Sequence, residues 1–280
     1  MIKGDKVFNY ILIKEDNFDD FKGILPPGLT LSPERIILGC YDDEGLVLGG
    51  MSFILSAVEY EMDWLYVIPE RRREGVAKGL MDQLFDFIRR TGEVYPLRAQ
   101  FEVTDEDRSL YDFFLTIDGM DTVFSHHRYY VDHHDISKSE ELKKDPLVQF
   151  DERFFLKLSR QDQEMILEKT EGDGIYVVED PENWKKCCVP ELCRVMYLEG
   201  EVKGAVFVLW RKDGNLEFSY LFSSNPVCTK KLVSVTARDI KRYYSGCSLV
   251  FDAVVPQTEK MAGKIFPGAD TVNIYRTEWY

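Results

Sequence analysis

Two periods of apolar residues run through the chain. Between residues 36 and 68 the apolar runs 36–41, 46–58 and 61–68 are short and broken by acidic or glycine-bearing turns. That is the pattern of consecutive antiparallel strands. The period then changes. Val76, Leu80, Leu84, Phe87 and Ile88 follow the i, i+4, i+8, i+11, i+12 spacing of one buried helical face, predicting a helix over 76–90 that stops at Gly92. Strands are expected over 6–13, 97–103 and 124–131, with a loop at Pro26-Pro27-Gly28 and a short helix over 107–115.

The same order recurs further along. Glu44-Gly45-Leu46-Val47-Leu48-Gly49 and Glu199-Gly200-Glu201-Val202-Lys203-Gly204 share the pattern EGxVxG at an offset of 155. At an offset of 154, Asp63-Trp64-Leu65-Tyr66-Val67 lies over Glu217-Phe218-Ser219-Tyr220-Leu221, and Gly92 lies over Gly246. Agreement of order and spacing over about fifty residues indicates an internal duplication. The second half predicts strands over 194–198, 202–210, 248–254 and 272–275, a helix over 230–244 and a helical turn near 258–265. Residues 132–145 are charged and almost free of apolar pairs, as in a linker. The expected fold class is α/β (α+β): two mixed, mostly antiparallel sheets flanked by helices, in tandem. The corresponding domains are 1–135 and 146–280, with a linker at 136–145.

Composition adds what patterning leaves open. The 280 residues are 45% hydrophobic and 13% aromatic, enough for two cores. A net charge of −14 argues against nucleic acid or an anionic membrane as a partner, since both favour a cationic face. The acidity is concentrated: residues 1–135 hold 14 Lys/Arg and 26 Asp/Glu, residues 136–280 hold 21 and 23. No apolar run approaches the roughly 18–20 residues of a membrane helix, and Met1–Lys6 lacks the apolar stretch of a secretion signal. Six cysteines, with Cys187 and Cys188 adjacent, do not space like a disulfide framework. A reduced, cytoplasmic protein is expected.

Within the acidic half stands one basic turn. Val67-Ile68-Pro69 ends a strand, Arg71-Arg72-Arg73-Glu74-Gly75 follows, and the amphipathic helix begins. The first N–H groups of a helix lack intrahelical acceptors and the macrodipole is positive there, so small residues beside arginines make an anion site. Gly75 and Ala77 leave room for a phosphate to approach the backbone.

With its hairpin, strand and V-x-P lead-in, Arg72-Arg73-Glu74-Gly75-Val76-Ala77 resembles the Arg/Gln-x-x-Gly-x-Gly/Ala signature of the Gcn5-related N-acetyltransferase (GNAT) family. The resemblance covers residues 1–132 and, through the repeat, extends more faintly to 146–280, so the chain looks like a tandem of two such domains. It implies acetyl-CoA as co-substrate, with no metal, and transfer of the acetyl group to a primary amine by direct attack. The backbone of Arg72, Arg73, Glu74, Gly75, Val76, Ala77 and Lys78 would then hold the pyrophosphate. The main chain at Tyr66 and Val67 would pair with the pantetheine arm.

By the same resemblance Glu61, six residues before Val67, is the candidate base. Glu59 and Asp63 compete on the same alternation, and partial burial on the strand is expected to raise the base's pKa. The family often places an acidic tyrosine where this chain has Leu115, so Tyr111, one turn earlier, is the candidate acid. Thiolate leaving with solvent protonation is the other route.

His126, His127, His133 and His134 have no accompanying metal-ligand spacing, and the C-x4-C of Cys188 and Cys193 lacks a second pair. Opposite the basic turn the second copy has Pro226-Val227-Cys228-Thr229-Lys230-Lys231-Leu232, with Thr229 over Gly75 and Lys231 over Ala77. It is expected to be degenerate, without coenzyme A, and to shape the acceptor site or serve a homodimer. The acidic first half points to a cationic acceptor, such as a polyamine, an aminoglycoside or an exposed lysine or N-terminal amine. A coenzyme A-binding sensor or interaction module without turnover is the alternative.

Overall fold

The computed structural model describes residues 7–26, 28–92, 95–144, 148–172 and 187–280. Met1–Lys6, Pro27, Asp145 and Pro146, where the sequence places a strand start, a loop, the linker's end and the start of a domain, lie outside the described residues. The chain forms two compact units. The first is residues 1–125 together with 274–280; the second is residues 126–273. No described helix is long and apolar enough to cross a membrane.

The first unit begins with β1 (Phe8–Leu12), α1 (Phe18–Phe21), β2 (Arg35–Asp42), β3 (Val47–Leu55) and β4 (Tyr60–Val67). A 3-10 turn (Pro69–Arg71), α2 (Val76–Thr91), β5 (Leu97–Val103), α3 (Ser109–Phe114) and the start of β6 (Met120–Val131) follow. β1 through β4 are antiparallel neighbours. Of the apolar face foreseen for α2, Val76, Leu80, Leu84 and Ile88 are buried and Phe87 is partly buried, while Met81 and Phe85, outside that expectation, are buried beside them. Each such side chain removed from water contributes about 1.5–3 kcal/mol. Gly92 ends the helix with φ 70°, a left-handed C-cap.

The sheet of this unit is completed from the far end of the chain. Its order is β1-β2-β3-β4-β5-β12-β6, with β12 (Asp270–Trp279) lying between β5 and β6. Ile274 and Thr277 are buried, Thr277 shares a 2.8 Å hydroxyl hydrogen bond with Thr122, and the Trp279 ring meets Phe85 at 4.6 Å. The duplication groups residues 274–280 with the second half; their contacts place them in the first unit. Periodicity marks a strand but carries no record of its neighbour.

The second unit holds the end of β6, α4 (His133–Lys138), α5 (Glu140–Lys143), β7 (Asp151–Phe154) and α6 (Arg160–Gly172). β8 (Arg194–Leu198), β9 (Glu201–Trp210), β10 (Leu216–Ser223), α7 (Pro226–Tyr243), β11 (Leu249–Ala253) and α8 (Pro256–Ile265) complete it. Its strand order is β6-β11-β10-β9-β8-β7. The charged stretch read as a linker carries α4 and α5. Asp132 and Ser139, whose side chains accept from backbone N–H groups at the two helix starts, explain why such a polar segment turns helical.

The two units repeat one another in detail. Gly45 and Gly200 hold the same hairpin corner at φ 82° and 80°. Gly49 and Gly204 are both glycine because a Cβ would come within 2.5 Å of the Tyr66 carbonyl oxygen and 2.8 Å of the Phe222 carbonyl oxygen. β4 and β10 each carry a bulge, at Asp63 and at Ser219. The counterpart of Asp63 is therefore Ser219, an offset of 156, and the 154 alignment of this strand is corrected. The loop 211–215 has one residue more than the loop 56–59, which shifts the register.

Candidate active site

At the end of β4 the first unit brings together a strand edge, a basic turn and an uncapped helix. β4 pairs with β5 in parallel only at Tyr60, Glu61 and Met62, opposite Leu97, Arg98 and Ala99. Both strands run on, to Val67 and Val103. Beyond Met62 the β5-facing edge of β4 thus leaves the ladder, and its polar groups are available to an extended ligand. The bulge at Asp63 also reverses the side-chain alternation. Tyr60 and Met62 face the core before it, Leu65 and Val67 after it. Trp64 and Tyr66 stack on the other face with centroids 6.4 Å apart.

The turn assigns its three arginines different tasks. Arg71 is tied down, 3.2 Å from the Asp42 carboxylate and 3.5 Å from that of Glu74. Arg72 folds back: its Nε–H donates to the Val67 carbonyl at 3.1 Å, and its guanidinium lies 6.0 Å from the centre of the Tyr66 ring. Arg73 is exposed and stands at φ 64°, a left-handed conformation that costs a side-chain-bearing residue about 1–2 kcal/mol. Gly75 follows at φ 96° as N-cap of α2.

No side chain caps α2, and no acidic residue stands in its first turn. Gly79 N–H makes the first intrahelical bond, to the Gly75 carbonyl at 2.9 Å. The N–H groups at the start of the helix therefore point out of the turn with the positive end of the dipole. Nothing lies within 4 Å of where a Gly75 Cβ would stand, so the cradle is open. A pyrophosphate fits this donor set. Across the turn, Asp107 is held below the ordinary carboxylate range by bonds from the Ser109 hydroxyl and N–H and by the charge of Arg72.

Glu59, Glu61 and Asp63 lie on or beside the same strand. Glu59 is ion-paired with Arg98, and Asp63 with Arg35 while accepting from Ser52. Glu61 is exposed on β4, not partly buried as the sequence suggests. Tyr111, half-buried on α3, meets Tyr275 edge-on at 4.8 Å and carries Arg108 5.1 Å over its ring. Leu115, just past α3, is 58% exposed. Among the described residues no group of three or more His, Cys, Asp or Glu is placed to hold a metal.

The second unit keeps the strand edge and loses the turn. β10 pairs with β11 in parallel only at Leu216 and Glu217 and continues to Ser223. Between β4 and α2 lie the eight residues 68–75; between β10 and α7 lie two, Ser224 and Asn225. The counterpart of Gly75 as N-cap is Asn225, not Thr229. Its side-chain oxygen accepts from the Cys228 N–H at 2.9 Å, and Pro226 at the first helical position has no N–H to offer. At this helix start one N–H is capped and another is missing. Asn followed by Pro is a capping signal that the sequence already displayed.

Comparison with known proteins bears on the family and the fold. The profile of the Acetyltransferase (GNAT) family matches residues 9–115. No curated protein sequence matches the chain. Among solved structures, a GCN5-related glucosamine N-acetyltransferase region of a fungal multi-domain GH3 β-N-acetylglucosaminidase superposes with TM-score 0.66 at 12% identity, covering 99% of this chain. This chain spans 38% of that longer protein. A tandem GNAT protein from the clavulanic acid biosynthesis pathway superposes with TM-score 0.62 at 12% identity over 97% of this chain and 98% of that one. A GCN5-related N-acetyltransferase from Sphaerobacter thermophilus gives 0.57 at 13% identity, over 94% and 85%. These likenesses establish the fold.

Proposed function

Because residues 9–115 match the model of the Acetyltransferase (GNAT) family and the whole chain shares its fold with a tandem GNAT protein, we propose that the first unit transfers an acetyl group from acetyl-CoA to a primary amine by direct attack. The observation that carries this is the pairing of an uncapped α2 with the unladdered edge of β4. One takes a pyrophosphate and the other an extended pantetheine arm. When bound, acetyl-CoA supplies the thioester whose carbonyl carbon the amine attacks, with the C–S bond breaking to release thiolate.

The backbone of Arg72 to Lys78 would hold the pyrophosphate, with Arg73 and Lys78 adding charge. Tyr66 and Val67 would pair with the arm through their main chain, Arg72 moving off the Val67 carbonyl or sharing it. Glu61 removes a proton from the attacking ammonium, directly or through one water. It is preferred to Glu59 and Asp63 because it stands six residues before Val67, the spacing that the family resemblance implies for the base. Tyr111 is the candidate donor to the thiolate, with solvent as the other source. The acceptor is an amine, cationic on the strength of the acidic first half, and the protein is cytoplasmic. The second unit, without a phosphate turn, does not take coenzyme A.

The second reading, a coenzyme A-binding module without turnover, is favoured by the absence of a tyrosine at Leu115. Release of free thiol from acetyl-CoA with a panel of polyamines, aminoglycosides and lysyl peptides separates the two. Steady release that Glu61→Gln suppresses supports the enzyme. Acetyl-CoA stabilisation of the fold with no thiol release from any amine supports the module.

A further inference from the structure

The second unit contains a cavity of about 640 Å³ at the position where the first unit has its basic turn. It opens between the end of β10, the first turns of α7, and α8, with α5 across it. That volume lies in the range of small-molecule sites, about 300–1,000 Å³. Its chemistry differs from that of the first unit. The phosphate turn is absent, and the N-terminus of α7 is closed by Asn225 and Pro226.

What remains is a lining of apolar side chains beside hydroxyl and amide groups, with one surplus positive charge. Leu142, Leu221, Met261 and Ile265 supply its apolar lining. Lys230 is already answered by the chain itself, since the Glu141 carboxylate of α5 sits 3.1 Å from its Nζ. Lys264 of α8 also lines the cavity and faces no carboxylate among the described residues. A hydrocarbon body gains by leaving water against that lining, and a single carboxylate gains a charge-assisted bond. A diphosphate would find no turn like residues 68–75 here, and of the two lining lysines Lys230 is already paired.

We propose that this cleft of the second unit is a binding site for a small monocarboxylic acid with an apolar body, its carboxylate held by Lys264 and its chain laid against Leu221, Met261 and Ile265.

The test uses the intact chain labelled with 13C at the methionine methyl groups, the Met261 signal being assigned by its loss in Met261→Leu. Octanoate is titrated in, with octanol as the uncharged control. The expected result is a saturable shift of the Met261 signal that acetyl-CoA does not reverse. Affinity should be about tenfold weaker for octanol, and about tenfold weaker for octanoate with Lys264→Gln. A Met261 signal unmoved by about 10 mM octanoate, a range in which even weak ligands bind, overturns the proposal. So does octanol binding as well as octanoate, or Lys264→Gln binding octanoate unchanged.

Discussion

Arg72 donates its Nε–H to the carbonyl oxygen of Val67, 3.1 Å away. The bond joins the basic turn to the strand edge, so one side chain spans both halves of the proposed acetyl-CoA site. Loss of the side chain releases the turn and removes a charge near the pyrophosphate. Arg72→Ala is expected to raise KM for acetyl-CoA about tenfold, with a smaller effect on kcat. Arg72→Lys should not restore it, because a lysine has no Nε–H to donate to Val67 while its charge stays near the Tyr66 ring. Steady-state kinetics in acetyl-CoA check this, and an unchanged KM counts against the site.

Gly75 combines open space with a left-handed backbone. Gly75→Ala should therefore cost about 1 kcal/mol of stability through backbone strain alone. Gly75→Asp adds a carboxylate to the anion cradle. In wild type, acetyl-CoA at 100 times its dissociation constant adds about 2.7 kcal/mol to stability, a shift of several degrees in the thermal melt. Gly75→Asp should lose that shift while still melting cooperatively. Retention of the full shift would sink the placement of the pyrophosphate.

Glu61 is tested by separating chemistry from folding. Glu61→Gln should lower kcat by about 10²–10⁴-fold with KM for acetyl-CoA unchanged. It should leave stability within about 0.5 kcal/mol, as expected of an exposed strand residue. Asp63→Asn should do the reverse, loosening Arg35 and Ser52 and lowering the melting temperature. Comparison of kcat and melts for the two variants decides which carboxylate acts on the amine.

The C-terminal strand makes a prediction that a self-contained first domain would not. Trp279 packs on Phe85 of α2, so Trp279→Ala should destabilise the first unit by about 3 kcal/mol. Hydrogen exchange in α2 should speed up, and the acetyl-CoA-induced shift should shrink. Protection in α2 unaffected by this change would place the strand's contribution elsewhere.

Acid should weaken the second unit through Asp252. Burial pushes its carboxyl up, but two bonds from Arg128, at 2.7 and 2.9 Å, and the Arg128 and His126 charges outweigh burial and hold it below the usual range. A lowered folded-state pKa means the stabilisation is complete above the unfolded value, about 3.9. It disappears as pH falls through the lower folded value. Urea unfolding between about pH 6 and pH 2 should show this loss, and Asp252→Asn should flatten the curve in that acid window.

The local elements were legible in the sequence because each follows from a short-range rule. Apolar runs broken by acidic or glycine-bearing turns marked β2 to β4, helical spacing marked α2, and the glycines of EGxVxG marked the repeated hairpin, since only glycine tolerates the corner at Gly45 and the close approach at Gly49. The anion site was legible for the same reason: Gly75 and the start of α2 are neighbours in sequence. α6 escaped notice because Met165, Ile166 and Leu167 are consecutive and trace no helical stripe.

Pairing was settled only by tertiary structure. Residues 274–280 join the first unit because their partners, Phe85 and Thr122, are remote in sequence. Tertiary contacts likewise separate Arg71, bound to Asp42, from Arg72 and Arg73, which read alike along the chain. They also show that the second copy has not substituted its phosphate turn but shortened it, leaving a cavity in its place. Sequence carries the conformational preferences of neighbours; which distant strand or carboxylate meets them depends on how the whole chain closes.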